Sequence, residues 1–347
     1  MKENGVILMI RYPKPLQQGE TIGVTALSSG VSEPLHHLVH NAKRQFEKRG
    51  FHVHVGDTVW TEYKSASTSK ETRVTELMAM FKSQDINAII PPWGGEILLE
   101  IMPLINWDEM NPKWILGYSD TSTFLFALTV KTGIATAHGP NFVELRSDDW
   151  EPVASKFMNV LQAPLGSTIE QQSSEKFQSK WQHDAPDDPY VYKLDTPTEW
   201  KIIGTDNIEL EGRFLGGCLD TIRHLVGTPY GNIVSFQKNF LNDEPILWYF
   251  ENCEMNATDF HRTMLQFVYA GWFENATGII FGRSPAGQDV KDFTVLDSME
   301  RIKELTGLPI IYDADVGHVP PQITFINGAS GKVTVQNGIG NVRTTLR

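Results

Sequence analysis

This sequence has little cysteine, no long apolar run and no excess of positive charge, and each lack excludes something. Its two cysteines, Cys218 and Cys253, are widely spaced and make neither a disulfide framework nor a zinc-ligand pattern. Two free thiols in a reducing compartment are the expectation. No segment approaches the ~20 apolar residues that span a bilayer, so no membrane partner is expected. The run Val6-Ile7-Leu8-Met9-Ile10 is too short for a signal-peptide core and no small-residue cleavage site follows it, so the expected location is cytoplasmic. Acidic residues outnumber basic ones by 42 to 30, a formal charge of −12, which argues against a nucleic-acid partner. There is no phosphate-loop Lys-Ser/Thr after the glycine pair Gly94-Gly95 and no Gly-x-Gly-x-x-Gly opening the first helix. No His-Glu-x-x-His or clustered Cys/His spacing suggests a metal. Neither metal nor cofactor is therefore expected. Carboxylate-pair glycosidase chemistry stays open on spacing alone.

What is present is a two-domain length, 347 residues. The first part alternates strand and helix patterns. Thr21–Ala26, Phe51–Val55, Ile86–Pro91 and Lys113–Leu116 read as strands. Between them, Pro34–Arg49, Thr72–Phe81 and Leu98–Ile105 read as helices. This alternation predicts an α/β fold with a Rossmann-like parallel sheet whose ligands sit beyond the carboxyl ends of the strands. Ser28-Ser29, Gly94-Gly95 and Ser119 all fall on strand-to-helix loops and are expected to converge on one rim. From Ser167 to Trp200 the chain is polar and weakly periodic, as linkers and functional loops are. Its aromatics, Trp181, Tyr190, Tyr192 and Trp200, read as loop anchors or a stacking platform rather than core. Beyond Gly204 a second, more β-rich α/β region follows. The expected domains are 1–165, a polar segment 166–203, and 204–347, with the site in the cleft between the two lobes.

The most informative segment is Gly117-Tyr118-Ser119-Asp120, between the apolar run Lys113–Leu116 and the helical stretch opened by Thr121. A serine at a sharp strand-to-helix turn is exposed, with free N–H groups behind it for a developing oxyanion. The usual elbow has glycine two positions after the serine, where this chain has Thr121. A serine nucleophile needs a base and a carboxylate to orient it. Of ten histidines, His36, His37 and His40 read as a solvated helix face, and His52 and His54 as an exposed strand face. His318, after Gly317 and before Pro320-Pro321, and His138, in Ala137-His138-Gly139-Pro140, remain as candidates. Glu251 ends the apolar run Pro245–Phe250 and should face a cation or an imidazole, Arg262 being the plain ion-pair alternative. Glu254 and Asp259 are nearby substitutes.

Taken together, these segments resemble the LD-carboxypeptidase family of serine peptidases. The resemblance runs through Leu16–Val24, Gly94-Gly95, Leu116–Ser122, His138-Gly139-Pro140, Leu215–Leu219, Phe250-Glu251-Asn252 and Gly317-His318. It implies Ser119 as nucleophile, Glu251 as orienting carboxylate and His318 as base. It also implies oxyanion donors from the backbone of Asp120 and the Gly94-Gly95 turn. The polar, tryptophan-bearing segment resembles the microcin C self-immunity branch. That branch cleaves an amide between an aminoacyl or peptidyl group and a modified nucleotide, and it implies a role in antibiotic resistance. On that resemblance Trp181 stacks on the base, with Trp93 and Cys218 as further substrate contacts and a homodimer as the assembly. Murein LD-carboxypeptidases instead remove a terminal D-amino acid from a cell-wall tetrapeptide. The chain departs from the family pattern at Cys218, where asparagine is common, and around Trp93-Gly94-Gly95-Glu96. A non-catalytic protein that sequesters a peptide–nucleotide is the alternative of another class.

Overall fold

The computed structural model describes residues 8–180 and 189–347. Five short strands open the first sheet: β1 (Thr21–Val24), β2 (His52–Val55), β3 (Ile86–Ile89), β4 (Trp114–Gly117) and β5 (Thr136–His138). They are mutually parallel in the order β5-β4-β3-β1-β2. Helices α1 (His36–Lys48), α2 (Lys70–Lys82) and α3 (Thr121–Thr132) supply crossovers. α1 turns Val39, Ala42 and Phe46 inward, the 3–4 spacing of a helix with one buried stripe. α3 is different, being buried at every residue from Thr121 to Val130. A helix apolar all round has to be covered on both sides. Its Phe126 stacks on Trp248 and Trp272 from the second half of the chain.

After α4 (Phe157–Leu161) the chain builds a second sheet. Its strands are β6 (Thr168–Gln172), β9 (Lys201–Ile202), β10 (Asn207–Cys218), β11 (Ile246–Glu251), β12 (Ala276–Gly282), β13 (Ile310–Ala314), β15 (Ser330–Gln336) and β16 (Ile339–Thr345). Before β9, β7 (Lys176–Phe177) and β8 (Thr196–Pro197) form a separate hairpin. β10 to β13 form a parallel centre, and antiparallel strands flank it in the order β6-β16-β15-β10-β11-β12-β13-β9. α5 (Leu219–Ile222), α6 (Ile233–Phe236), α7 (Ala257–Tyr269) and α8 (Val295–Thr306) accompany it. One strand crosses over: β14 (Phe325–Asn327), late in the chain, pairs antiparallel with β5 of the first sheet, Phe325 opposite His138.

The α/β reading, with a parallel N-terminal sheet and a β-rich C-terminal half, is what the chain adopts. The polar middle is where the sequence misleads. It contributes β6 to the large sheet and places Trp200 and Tyr192 in the interior, 1% and 6% exposed. Both side chains find polar partners for their single donor, so an aromatic in a polar segment can still be core. Trp200 Nε1 donates to Asp315 at 2.8 Å, and Tyr192 Oη to Glu144 at 3.3 Å. Trp181 lies outside the described residues.

Candidate active site

The carboxyl ends of parallel strands from both sheets supply the candidate residues. β4 delivers Ser119 at φ +63, a left-handed conformation that costs a residue with a Cβ roughly 1 kcal/mol. The elbow is clamped through the next residue. Asp120, buried, accepts from Ser28 Oγ at 2.6 Å and from the Leu98 N–H at 2.8 Å. This carboxylate thus joins the loops after β1, β3 and β4. A Cβ on Gly94 would stand 2.6 Å from Ser119 Cβ and 2.8 Å from the Asp120 nitrogen. One on Gly95, at φ +135, would meet Ser28 Oγ and the Ser29 nitrogen at 2.5 and 2.6 Å. The three loops converge as their places in the sequence suggest, with glycine required at 94 and 95.

β11 ends in Glu251, fully buried and paired in register with Cys218 at the end of β10. Beyond β13, Gly317 (φ +88) turns the chain so that His318 Nδ1 bonds Glu251 Oε2 at 2.8 Å. A Cβ on Gly317 would lie 2.5 Å from Glu251, so only glycine lets the imidazole approach. The His318 side chain keeps 17% of its surface exposed while Glu251 has none, so the imidazole alone can meet substrate or water. The His318 loop is braced from below. Arg283 Nη2 bonds Asp315 at 2.6 Å and the Val319 and Pro321 carbonyls at 3.2 and 3.1 Å.

Burial lowers the His318 pKa, but the Glu251 charge and the ring's hydrogen bonds with Cys253 and Glu251 outweigh it and raise it well above the usual imidazole value. Burial raises that of Glu251, yet the imidazole more than offsets it and holds the carboxylate below its ordinary value. Each member of the pair thus favours the charged form of the other. His138, the rival base, is fully buried, neither ring nitrogen has a hydrogen-bond partner among the described residues, and burial depresses its pKa to about 4. It is a neutral core residue between the rings of Tyr118 and Tyr249. Arg262, the alternative partner for Glu251, pairs with Asp259 instead.

A cavity of about 320 Å³ opens at this place. Ser119, Asp120, Gly95, Cys218 and Cys253 line it, with Glu96, Asp220 and Glu254 as carboxylates and Arg223 as a cation. Cys253 sits against His318 and Cys218 against Glu251. The Ser119 hydroxyl forms no hydrogen bond among the described residues, and its link to the base is through its neighbour. The Tyr118 ring meets the His318 ring edge-on, centroids 4.8 Å apart. Active-site hydrogen bonds are commonly looser before substrate binds. Trp93 is not among the residues lining this cavity, and its indole N–H is taken by the Gly30 carbonyl at 3.1 Å. Sequence reasoning missed Cys253, Tyr118 and Glu144. The last had a readable signal, the Asn141-x-x-Glu144 capping box, which the structure forms.

Two family profiles match this chain, the LD-carboxypeptidase N-terminal domain over residues 22–139 and the LD-carboxypeptidase C-terminal domain over residues 211–333. The Escherichia coli microcin C7 self-immunity protein MccF is 23% identical over 93% of this chain and 93% of its own. An MccF-like protein from Bacillus anthracis superposes with a TM-score of 0.81 at 23% identity, covering 97% of this chain and all of the other. MccF in complex with glutamyl sulfamoyl guanosine gives a TM-score of 0.81 at 19% identity, covering 97% and 98%. At these identities the solved structures share the fold.

Proposed function

We propose what this chain does from one premise: it belongs to the LD-carboxypeptidase family, a family of serine peptidases. Within that family we assign it the hydrolysis of an amide joining an aminoacyl or peptidyl group to a nucleotide, by a Ser119–His318–Glu251 triad. The observation that carries the assignment is the 2.8 Å bond between His318 and the buried Glu251, beside a strained serine elbow that opens on a cavity lined also by Cys218 and Cys253. His318 takes the proton from Ser119, whose oxygen attacks the amide carbonyl. Glu251 fixes the imidazole through Nδ1, leaving Nε2 for proton transfer, and stabilises the imidazolium. The tetrahedral oxyanion is received by the Asp120 N–H and the glycine turn. His318 then gives the proton to the leaving amine and activates the water that releases the acyl group.

The acyl group is expected to be neutral or to carry an amine. Burial together with Glu254, Asp120 and Asp220 raises the Glu96 pKa, the mark of like charges crowded on one wall. A substrate carboxylate placed there meets repulsion, with Arg223 as the cavity's one lining arginine or lysine among the described residues. This is a departure from MccF, whose solved complex holds a glutamyl compound. The same wall suits the second reading, a murein tetrapeptide LD-carboxypeptidase, when the peptide bears a free amine.

Mass spectrometry of products tests the assignment. The protein is incubated with alanyl-sulfamoyl-adenosine and, separately, with a murein tetrapeptide. A free amino acid and sulfamoyl-adenosine support the first reading, and a tripeptide plus D-alanine supports the second. Stoichiometric retention of either compound intact supports sequestration and overturns the enzyme assignment.

A further inference from the structure

One half-buried carboxylate beside the triad, Glu144, has no part in it. Glu144 lies in the single turn Phe142–Leu145, just after β5. Its Oε2 accepts the Asn141 N–H at 2.8 Å, while Oε1 accepts two phenols, Tyr118 at 3.0 Å and Tyr192 at 3.3 Å. Both tyrosines are almost fully buried. Tyr118 precedes Ser119 in the chain and packs edge-on against His318. Tyr192 belongs to the polar middle segment. Two distant stretches of chain therefore meet on one carboxylate oxygen, one hydrogen bond away from a ring that touches the base.

A second connection joins the same segment to the same loop. The Gln178 N–H donates to the Pro320 carbonyl at 2.9 Å, two residues past His318. Gln178 Oε1 in turn accepts the Lys193 N–H at 2.8 Å, next to Tyr192. Phe177 lies under the guanidinium of Arg283, which bonds the Val319 and Pro321 carbonyls. The middle segment thus grips the His318 loop on one side through backbone and on the other through Glu144 and Tyr118.

We propose that Glu144 is a positioning residue, which holds Tyr118 against His318, and that Tyr192 makes this brace depend on docking of the middle segment. The inference rests on the peptidase reading above. Its physical basis is that Glu251 fixes the imidazole at one atom, Nδ1, and leaves rotation about that bond to be checked by packing. The Tyr118 ring supplies that check only while its hydroxyl is pinned, because the rest of the ring makes non-directional contacts. Removing either phenolic hydroxyl loosens the base without removing packed volume.

The test uses Y192F, Y118F and E144Q in the full chain, with two readouts. The first is NMR titration of the His318 imidazole, which needs no substrate. His318 faces Glu251, Cys253, Tyr118, His138 and Glu144, and Glu144 faces Tyr118, Tyr192 and His318, with Arg146 and Glu151 around Tyr192. E144Q removes a negative charge from this set and lowers the midpoint by that alone, so the deciding variant is Y118F, which keeps the charge: a midpoint moved to lower pH there reports an imidazole drawn away from Glu251, whereas a purely structural role leaves it in place. The second readout is kinetics on whichever compound wild type hydrolyses. Y192F and Y118F should each lower kcat about 10-fold or more, the scale of one hydrogen bond to a charged group, with KM nearly unchanged. Y192F keeps the proposal exposed should E144Q fold poorly. The proposal is overturned if the His318 midpoint in Y118F and kcat in Y192F both match wild type. If wild type hydrolyses neither compound, the peptidase reading fails by itself and the titration still decides the brace.

Discussion

Gly94 and Ser119, on different strand ends, approach so closely that a methyl group on the first would lie 2.6 Å from Cβ of the second and 2.7 Å from its hydroxyl oxygen. No real pair of carbons sits that close, so any side chain at 94 displaces the serine or the turn. The glycine is a steric condition of the elbow. Gly94→Ala should retain secondary structure by circular dichroism and lose at least about 100-fold in kcat/KM, the scale of a 1 Å misplacement at a reacting centre.

Ser119 itself sits in the left-handed region. Ser119→Ala keeps that strain and removes the nucleophile, so activity should fall by several orders of magnitude with an unchanged unfolding curve. Ser119→Gly removes both, and should be more stable than wild type by about 1 kcal/mol in urea unfolding. Full activity in Ser119→Ala would end the nucleophile assignment.

The raised His318 pKa fixes the direction of the pH profile. The base must be neutral to act, so the acid limb of kcat/KM should lie above the ordinary imidazole value of 6.5. Glu251→Gln removes the main raising influence, so the limb should move to lower pH while the rate at the plateau drops about 10²- to 10⁴-fold. Stability follows the same pair. The raised His318 contributes fully below 6.5 and loses its contribution as pH rises through its folded value, and the depressed Glu251 contributes above 4.5 and loses it on acidification. The destabilisation of His318→Gln should therefore be largest between those two pH values.

His138 makes the opposite prediction. Its pKa falls from 6.5 to about 4 on burial, so the unfolded chain binds a proton between those values that the folded chain refuses. Stability should decline from pH 6.5 to 4 by about 3 kcal/mol on this account. Unfolding curves of His138→Phe should lack that part of the decline, even if the variant starts from a different stability at pH 7.

The acidic cavity wall gives a specificity test. Glu96→Gln and Glu254→Gln should each raise kcat/KM for a glutamyl over an alanyl sulfamoyl-adenosine by roughly 3- to 10-fold, because each removes one like charge facing the extra carboxylate. An unchanged ratio would mean the acyl side chain is bound elsewhere.

The elements that carry Ser119 and Glu251 were legible because local rules govern them. An apolar run followed by Gly-x-Ser-Asp and a helical stretch specifies an elbow, and an acid that ends a run of six apolar residues must find a partner. His318 was not separable from His138 on local grounds. Both stand at or just past the end of a strand next to glycine and proline, and only the packing shows one ring partly exposed beside Glu251 and the other sealed without a hydrogen-bond partner among the described residues. The middle segment was misjudged for a similar reason. Its polar composition is real, but Trp200 and Tyr192 are buried through single hydrogen bonds to Asp315 and Glu144, residues more than 40 positions away.

By itself the sequence determined the alternation of strands and helices, the turns where only glycine fits, and the residue types able to do acyl transfer, since periodicity and backbone sterics act over a few residues. The tertiary structure decided which histidine meets Glu251, that Cys218 and Cys253 flank the pair, and that Glu144 joins the elbow to the middle segment. These outcomes depend on the register of β10 against β11 and on loops from two sheets meeting at one end. Such relations arise from packing between distant stretches of chain, which no local pattern encodes.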